Sequence, residues 1–364
     1  MFNYYFLSME TEENRLMSKK KPAYPIKDFL GDYLKKYNRS LKIPIYYDDL
    51  LRFAGAVSVY DDNDEDTLWV RVYYSDSDRR EIDDSLKRVY AILHSDGNQE
   101  MTDFLSIDAV DYCTFGNSKP FRVKIRNILN DNYTHFYVKQ ADASRVYGLE
   151  LEHILSPYRI NFLAEKSTLI EEHIVGIPGD IFIKDYLPNL SSQAKAQIAK
   201  EFVKFNERCQ LRLLGDMRSY NYVVIPTHDF DHVEYRIRAI DFDQECFEGK
   251  LKVYQPQFFK ENANMIKMIS HKLDLSSVLQ YQKEERSVLA KRMINTHKRT
   301  ENLLECMCKD TISTEANIEN LRDELFKYTF SIKFKSCKTM GDILKTGFDF
   351  VTRNYLNHKQ ESGF

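Results

Sequence analysis

The chain has 364 residues, 43% hydrophobic and 29% charged, a globular composition that excludes collagen-like, low-complexity and disordered classes. Lysine and arginine (52) nearly balance aspartate and glutamate (55) for a net charge of −3, so the basic footprint of a nucleic-acid binder is missing and no such partner is expected. Its 12 glycines are about 3% of the chain where about 7% is usual, and neither G-x-G-x-x-G nor G-x-x-x-x-G-K-[ST] occurs, which excludes a phosphate loop built on repeated glycines.

In chain order, residues 1–24 read as a flexible tail, too briefly apolar at Met1–Leu7 for a secretory signal. Residues 25–105 read as an N-terminal α+β domain. It holds a helix over Ile26–Tyr37, strands Ala56–Tyr60 and Leu68–Tyr74 around the acidic turn Asp61–Asp66, and a helix over Glu81–Leu93. Residues 106–175 are rich in strands: Ile107–Phe115, Phe121–Ile125 and His135–Gln140, then a helix at Tyr147–Leu155, then Arg159–Ala164 and Ser167–Ile174. Residues 176–282 begin with a long helix, Ser191–Arg212. Strands Tyr222–Ile225 and Tyr235–Asp241 follow across a loop at Pro226–Asp231, and then a helix at Ala263–Lys272. Residues 283–364 form a helical extension, with helices at Lys283–Cys308, Glu315–Tyr328 and Met340–Leu356. The six cysteines are scattered, with no C-x-x-C pair, and read as reduced thiols of a cytoplasmic protein. No run of about 18 apolar residues suggests a membrane span.

Three separated pieces carry chemistry. Lys139 sits inside an apolar strand, before a helix bearing Glu150 and Glu152. Gly215-Asp216-Met217-Arg218-Ser219-Tyr220-Asn221 directly precedes the strand Tyr222-Val223-Val224, and Asp241-Phe242-Asp243 ends the next strand. Phosphoryl transfer needs such groups: a lysine for phosphate charge, hard oxygen ligands for Mg²⁺, and a carboxylate to take the proton of a hydroxyl nucleophile. His228 and His232, spaced as zinc ligands can be, lie between two strands and read as a solvated hairpin loop.

At these residues the chain resembles the protein-kinase-like superfamily, including the aminoglycoside and choline kinases, over about residues 107–250. The resemblance implies a two-lobed α+β fold with ATP and Mg²⁺ as cofactors. The 25–105 domain would be an addition before that fold, and the last helices an extension after it. It gives Lys139 the α/β-phosphates and pairs it with Glu150 or Glu152. Asp216, Arg218 and Asn221 fill the Asp-x-Lys/Arg-x-x-Asn loop as proton acceptor, γ-phosphate contact and Mg²⁺ ligand. Asp241 becomes the main Mg²⁺ ligand, with Asp243 beside it as a further metal residue. Leu169–Gly176 matches the strand and hinge that hold adenine, through the Glu172 carbonyl and the Ile174 amide. The phosphate-covering loop, Thr114–Phe121, keeps one glycine, Gly116, with Lys119 supplying charge. Leu214 stands where the family usually has histidine, and no Ala-Pro-Glu follows Asp241, so the acceptor is open between a protein and a small molecule. The rivals are a catalytically silent binding module and a nucleotidyl (AMP) transferase using the same cleft.

Overall fold

Antiparallel pairing organises the first half of the chain. The structure, a computed structural model, describes residues 21–61, 64–94, 99–115, 118–230 and 232–361. The fold class is α+β, and the chain divides into two units. The first takes in residues 22–149 and 158–173, and the second residues 150–157 and 174 onward.

In chain order the first unit contains α1 (Asp28–Lys36), α2 (Tyr47–Leu50), β1 (Gly55–Tyr60), β2 (Asp66–Tyr73) and α3 (Asp76–His94). Then come β3 (Leu105–Cys113), β4 (Phe121–Asn127), β5 (Asn132–Gln140), α4 (Ala143–Leu155, whose residues from Glu150 on are counted with the second unit), β6 (Phe162–Glu165) and β7 (Thr168–Glu172). The strands form one seven-stranded sheet in the order β1-β2-β3-β4-β5-β7-β6. The separate domain expected over 25–105 is therefore not separate. Trp69, Val70 and Arg71 of β2 pair with Cys113, Tyr112 and Asp111 of β3, which extends the sheet across the expected boundary.

Alternation gives the sheet two faces. Phe121, Val123, Phe136, Val138 and Ile170 pack into one core with Ile82, Leu86 and Val89 of α3. By the same alternation Asp111, Arg122, Tyr137, Lys139 and Glu171 fall on the other face. Helix α4 starts earlier than the apolar pattern implied, because Asp142 caps it. One Asp142 carboxylate oxygen accepts the Arg145 amide at 3.3 Å, and its carbonyl accepts the Val146 amide at 3.0 Å.

In the second unit the short β8 (Ile177–Pro178) and single turn α5 (Gly179–Ile181) precede α6 (Ser192–Arg212), which Ser191 caps by accepting the Ala194 amide. Then follow β9 (Tyr222–Asp229) and β10 (His232–Ala239), in a sheet of order β10-β9-β8. The loop expected at Pro226–Asp231 is largely strand: Pro226 pairs with Tyr235 and His228 with Val233. β8 reaches only Val223 and Val224, so Pro226 sits where β9 has no neighbour on its outer side, a position that tolerates the missing amide. Phe202 and Phe205 of α6 meet the buried Tyr222 ring at centroid distances of 6.3 and 5.2 Å.

Helices α7 (Ala263–Lys272), α8 (Leu275–Asn295), α9 (His297–Lys309), α10 (Glu315–Thr329) and α11 (Met340–Glu361) complete the unit. The helix expected over Lys283–Cys308 is thus two. It starts early because the Asp274 carboxylate caps α8 by accepting the Ser277 amide at 2.8 Å. It breaks at Thr296, which leaves helical geometry at φ −109°, ψ 24°, although its amide still donates to the Arg292 carbonyl at 2.9 Å. These helices belong to the same unit as residues 174–282. Among the described residues no helix is long and apolar enough to cross a membrane.

Candidate functional site

The sequence-derived residues fall in both units, and each set forms a local arrangement of its own. On the polar face of the first unit, β5 brings Lys139 beside β7. The register pairs Lys139 with Leu169 and Tyr137 with Glu171, so Lys139 and Glu171 are diagonal neighbours on one face. The Lys139 ammonium donates to Glu171 Oε2 at 2.8 Å. Arg145 of α4 grips the same carboxylate, through Nε to Oε1 and through Nη2 to Oε2 at 3.0 Å. Lys139, Arg145 and Glu171 are all buried. Burial alone would push the Glu171 carboxyl up, but the Arg145 and Lys139 cations outweigh it and hold the group at about 2.

This corrects the expected pairing. The carboxylate on Lys139 comes from a strand, and the helix contributes an arginine. Glu150 and Glu152 lie in the second unit and bind arginines there: Arg299 Nε donates to Glu150 Oε1 at 2.6 Å, and Arg212 Nη1 donates to Glu152. Periodicity could not separate these glutamates from Glu171, because their partners are set by tertiary packing.

The same sheet face continues the alternation of charge. Arg71 and Arg122 both reach the buried Asp111 carboxylate at 2.9 Å, and the Arg122 guanidinium lies 4.7 Å from the Trp69 ring centroid. Lys119 is exposed, and its carbonyl accepts the Tyr47 hydroxyl at 2.8 Å. Gly116 lies outside the described residues. At the expected hinge, the Glu172 amide donates to the Asn161 carbonyl at 3.0 Å. The chain then passes from one unit to the other between His173 and Ile174. The Ile174 amide makes no hydrogen bond among the described residues.

In the second unit α6 ends at Leu213 in the left-handed conformation, φ 59°. Leu214 forms a bridge with Glu245, and the Gly215 amide donates to the Gln244 carbonyl at 3.1 Å. Asp216 follows with φ 57°, a strained conformation for a residue with a side chain. Such strain, of order 1–3 kcal/mol, persists only where the surroundings enforce it. Here the Asn221 side chain enforces it: Nδ2 donates to the Asp216 carbonyl at 2.7 Å. That bond leaves Asn221 Oδ1, a hard acceptor, with no partner among the described residues. The Asn221 carbonyl in turn accepts the Ile240 amide at 3.0 Å, which ties the loop to the segment carrying Asp241. Asp241 Oδ1 accepts the Asp243 amide at 3.1 Å.

Arg218 lies in a fork. Nε donates to Asp216 Oδ1 and Nη1 to Glu261 Oε1, both at 2.8 Å, with the guanidinium 5.2 Å from the Phe259 ring centroid. Nearby Tyr220 senses the cluster: burial pushes its phenol up, Arg218 pulls it down, and Asp216, Glu261 and Asp241 push it up again. Asp216, Arg218, Asn221 and Asp241 thus share one small region. Among the described residues no three His, Cys, Asp or Glu side chains form a metal cage. An Mg²⁺ held by one or two protein oxygens, substrate phosphates and water needs no such cage, and Asn221 Oδ1 and the Asp241 carboxylate fit that donor set.

No protein-family model matches the chain, and no curated protein matches it. Glu171, Arg145 and Glu261 take part in these arrangements without having been given roles from the sequence. For Glu171 a signal existed, a carboxylate inside an apolar strand. Arg145 and Glu261 carried none.

The buried base of the second unit has a pH signature. Arg212 Nη2 donates to Glu245 Oε2 at 3.2 Å, while Nη1 serves Glu152. Burial pushes the Glu245 carboxyl up to about 7, with Arg212 opposing and Glu152 adding to the rise. Between the ordinary glutamate value of about 4.3 and that figure, the native chain holds a proton that the unfolded chain has released. Stability should therefore fall as pH rises through this window, by at most about 1.4 kcal/mol per pH unit for one proton. In urea denaturation from pH 5 to 8, Glu245→Gln should flatten that slope. An unchanged slope would remove Glu245 as its source.

Proposed function

We propose that the chain is an Mg²⁺- and ATP-dependent phosphotransferase that moves the γ-phosphate to a hydroxyl of a protein or small-molecule acceptor. The observation that carries this is the Asp216 loop: a carboxylate on a left-handed backbone whose carbonyl is clasped by Asn221, next to the Arg218 cation and linked by backbone to the segment of Asp241. Asp216 accepts the proton of the acceptor hydroxyl. Arg218, braced by Glu261, presents positive charge for the γ-phosphate. Asn221 Oδ1 and Asp241, with Asp243 beside it, would hold Mg²⁺, which supplies neutralisation of phosphate charge. Lys139 is assigned to the α/β-phosphates, with Glu171 and Arg145 fixing its position and charge state. The unbonded Ile174 amide is a donor suited to an adenine nitrogen. Catalysis of this kind is mostly positioning and electrostatics.

One observation favours the second reading, a silent nucleotide-binding or partner-binding module. The lysine–glutamate pair of protein kinases joins strand to helix and must be in place for transfer. Here the glutamate is on a strand, and the helix arginine shares it with Lys139.

Thermal titration tests nucleotide binding, which the proposed transfer requires. Mg²⁺-ATP at about 100 times its Kd should stabilise the fold by about 2.7 kcal/mol. An unmoved melting transition at saturating Mg²⁺-ATP would contradict the assignment.

A further inference from the structure

A cavity of about 320 Å³ opens among the helices of the second unit, lined by parts of α6, α8, α10 and α11 and by Phe334. None of residues 214–221 lines it, so it is distinct from the Asp216 loop. Its size is at the lower end of small-molecule pockets, which run from about 300 to 1,000 Å³.

Two observations mark it as more than loose packing. The first is Gly347, in the interior of α11. Glycine inside a helix weakens it relative to alanine, and this chain has only 12 glycines. Gly341, one to two turns earlier, has a packing reason: a Cβ there would lie 2.2 Å from the Met307 carbonyl carbon of α9. Gly347 has no such reason. A Cβ there would meet nothing within 4 Å, and Gly347 lines the cavity.

The second observation is charge. Lys283 and Arg286 are the charged side chains in the lining, and no carboxylate joins them. Arg286 Nε donates to the buried Glu207 carboxylate at 2.6 Å, so its charge is largely committed. Lys283 is exposed and makes no ion pair among the described residues. The apolar walls, including Phe334, Leu344 and Val351, are buried. The site thus combines a cationic rim with an apolar interior.

We infer that this cavity binds a small amphiphilic acid, an aliphatic chain whose carboxylate meets Lys283. At about 30 Å³ for each water-sized group the space holds roughly ten non-hydrogen atoms. Octanoate has that size and serves as the probe. The inference does not depend on phosphoryl transfer.

Calorimetric titration of the full chain tests it. Octanoate should bind with a Kd below about 1 mM, and octylammonium at least tenfold more weakly. Lys283→Glu should weaken octanoate binding at least tenfold. Gly347→Leu should fill the cavity, abolish octanoate binding and raise the melting temperature. The inference is overturned if octanoate does not bind the wild-type chain, if octylammonium binds as well, or if Gly347→Leu binds octanoate unchanged. Should Gly347→Leu fail to fold, Lys283→Glu decides, because the side chain it replaces is exposed.

Discussion

Glu171→Ala should destabilise the protein by about 3–5 kcal/mol, because it leaves Lys139 and Arg145 buried without their shared carboxylate. The loss should appear in urea denaturation as a lower midpoint. The cost comes from the stranded cations and not from the missing contacts alone. The triple replacement Lys139→Met, Arg145→Met and Glu171→Leu should therefore recover most of the stability, since apolar substitutes for a whole buried ion cluster are often neutral. It should also lose nucleotide affinity. If the single and triple variants were equally unstable, the electrostatic account of this cluster would be wrong. Acid should act in the same direction as Glu171→Ala. Glu171 is held at about 2, so its contribution is intact above the ordinary glutamate range and is lost as pH falls towards that value.

Asp216→Asn should lower the rate of phosphoryl transfer by about 10²–10⁴, the usual cost of removing a general base. Asparagine keeps the size of the side chain and tolerates the left-handed backbone at φ 57°. It also keeps an oxygen for Arg218 Nε. Stability should accordingly stay within about 1 kcal/mol of wild type. A variant with full transfer activity would remove Asp216 from the role of proton acceptor. A variant that unfolded would instead make Asp216 a structural residue of the loop.

Much of the fold was legible in the sequence where local pattern and local structure agree. The alternation around Phe121–Ile125 and His135–Gln140 gave β4 and β5, and with them the strand position of Lys139. The spacing of Asp216 and Asn221 before an apolar strand placed the loop that the structure builds. What escaped depended on contacts distant in sequence. Glu171 meets Lys139 only because β7 pairs with β5 in a register that no local pattern encodes, and α4 turns Arg145 towards both. The joining of β2 to β3 erased the boundary expected near residue 105, since hydrogen bonding along a strand edge leaves no compositional mark. The extra length of α4 and α8 came from single capping aspartates, Asp142 and Asp274. Glycine scarcity had pointed away from glycine-rich phosphate loops, and it also gives weight to the one glycine that opens α11 onto a cavity.

The most direct measurement of the central claim follows the label of ATP. The full chain is incubated with Mg²⁺, cell extract as a source of acceptors, and ATP labelled at either the α- or the γ-phosphate. The account predicts γ-label retained on a product, absent when Asp216→Asn replaces the wild type. α-label on the product would mean nucleotidyl transfer, and no label from either position, despite ATP binding, would contradict the phosphotransferase assignment.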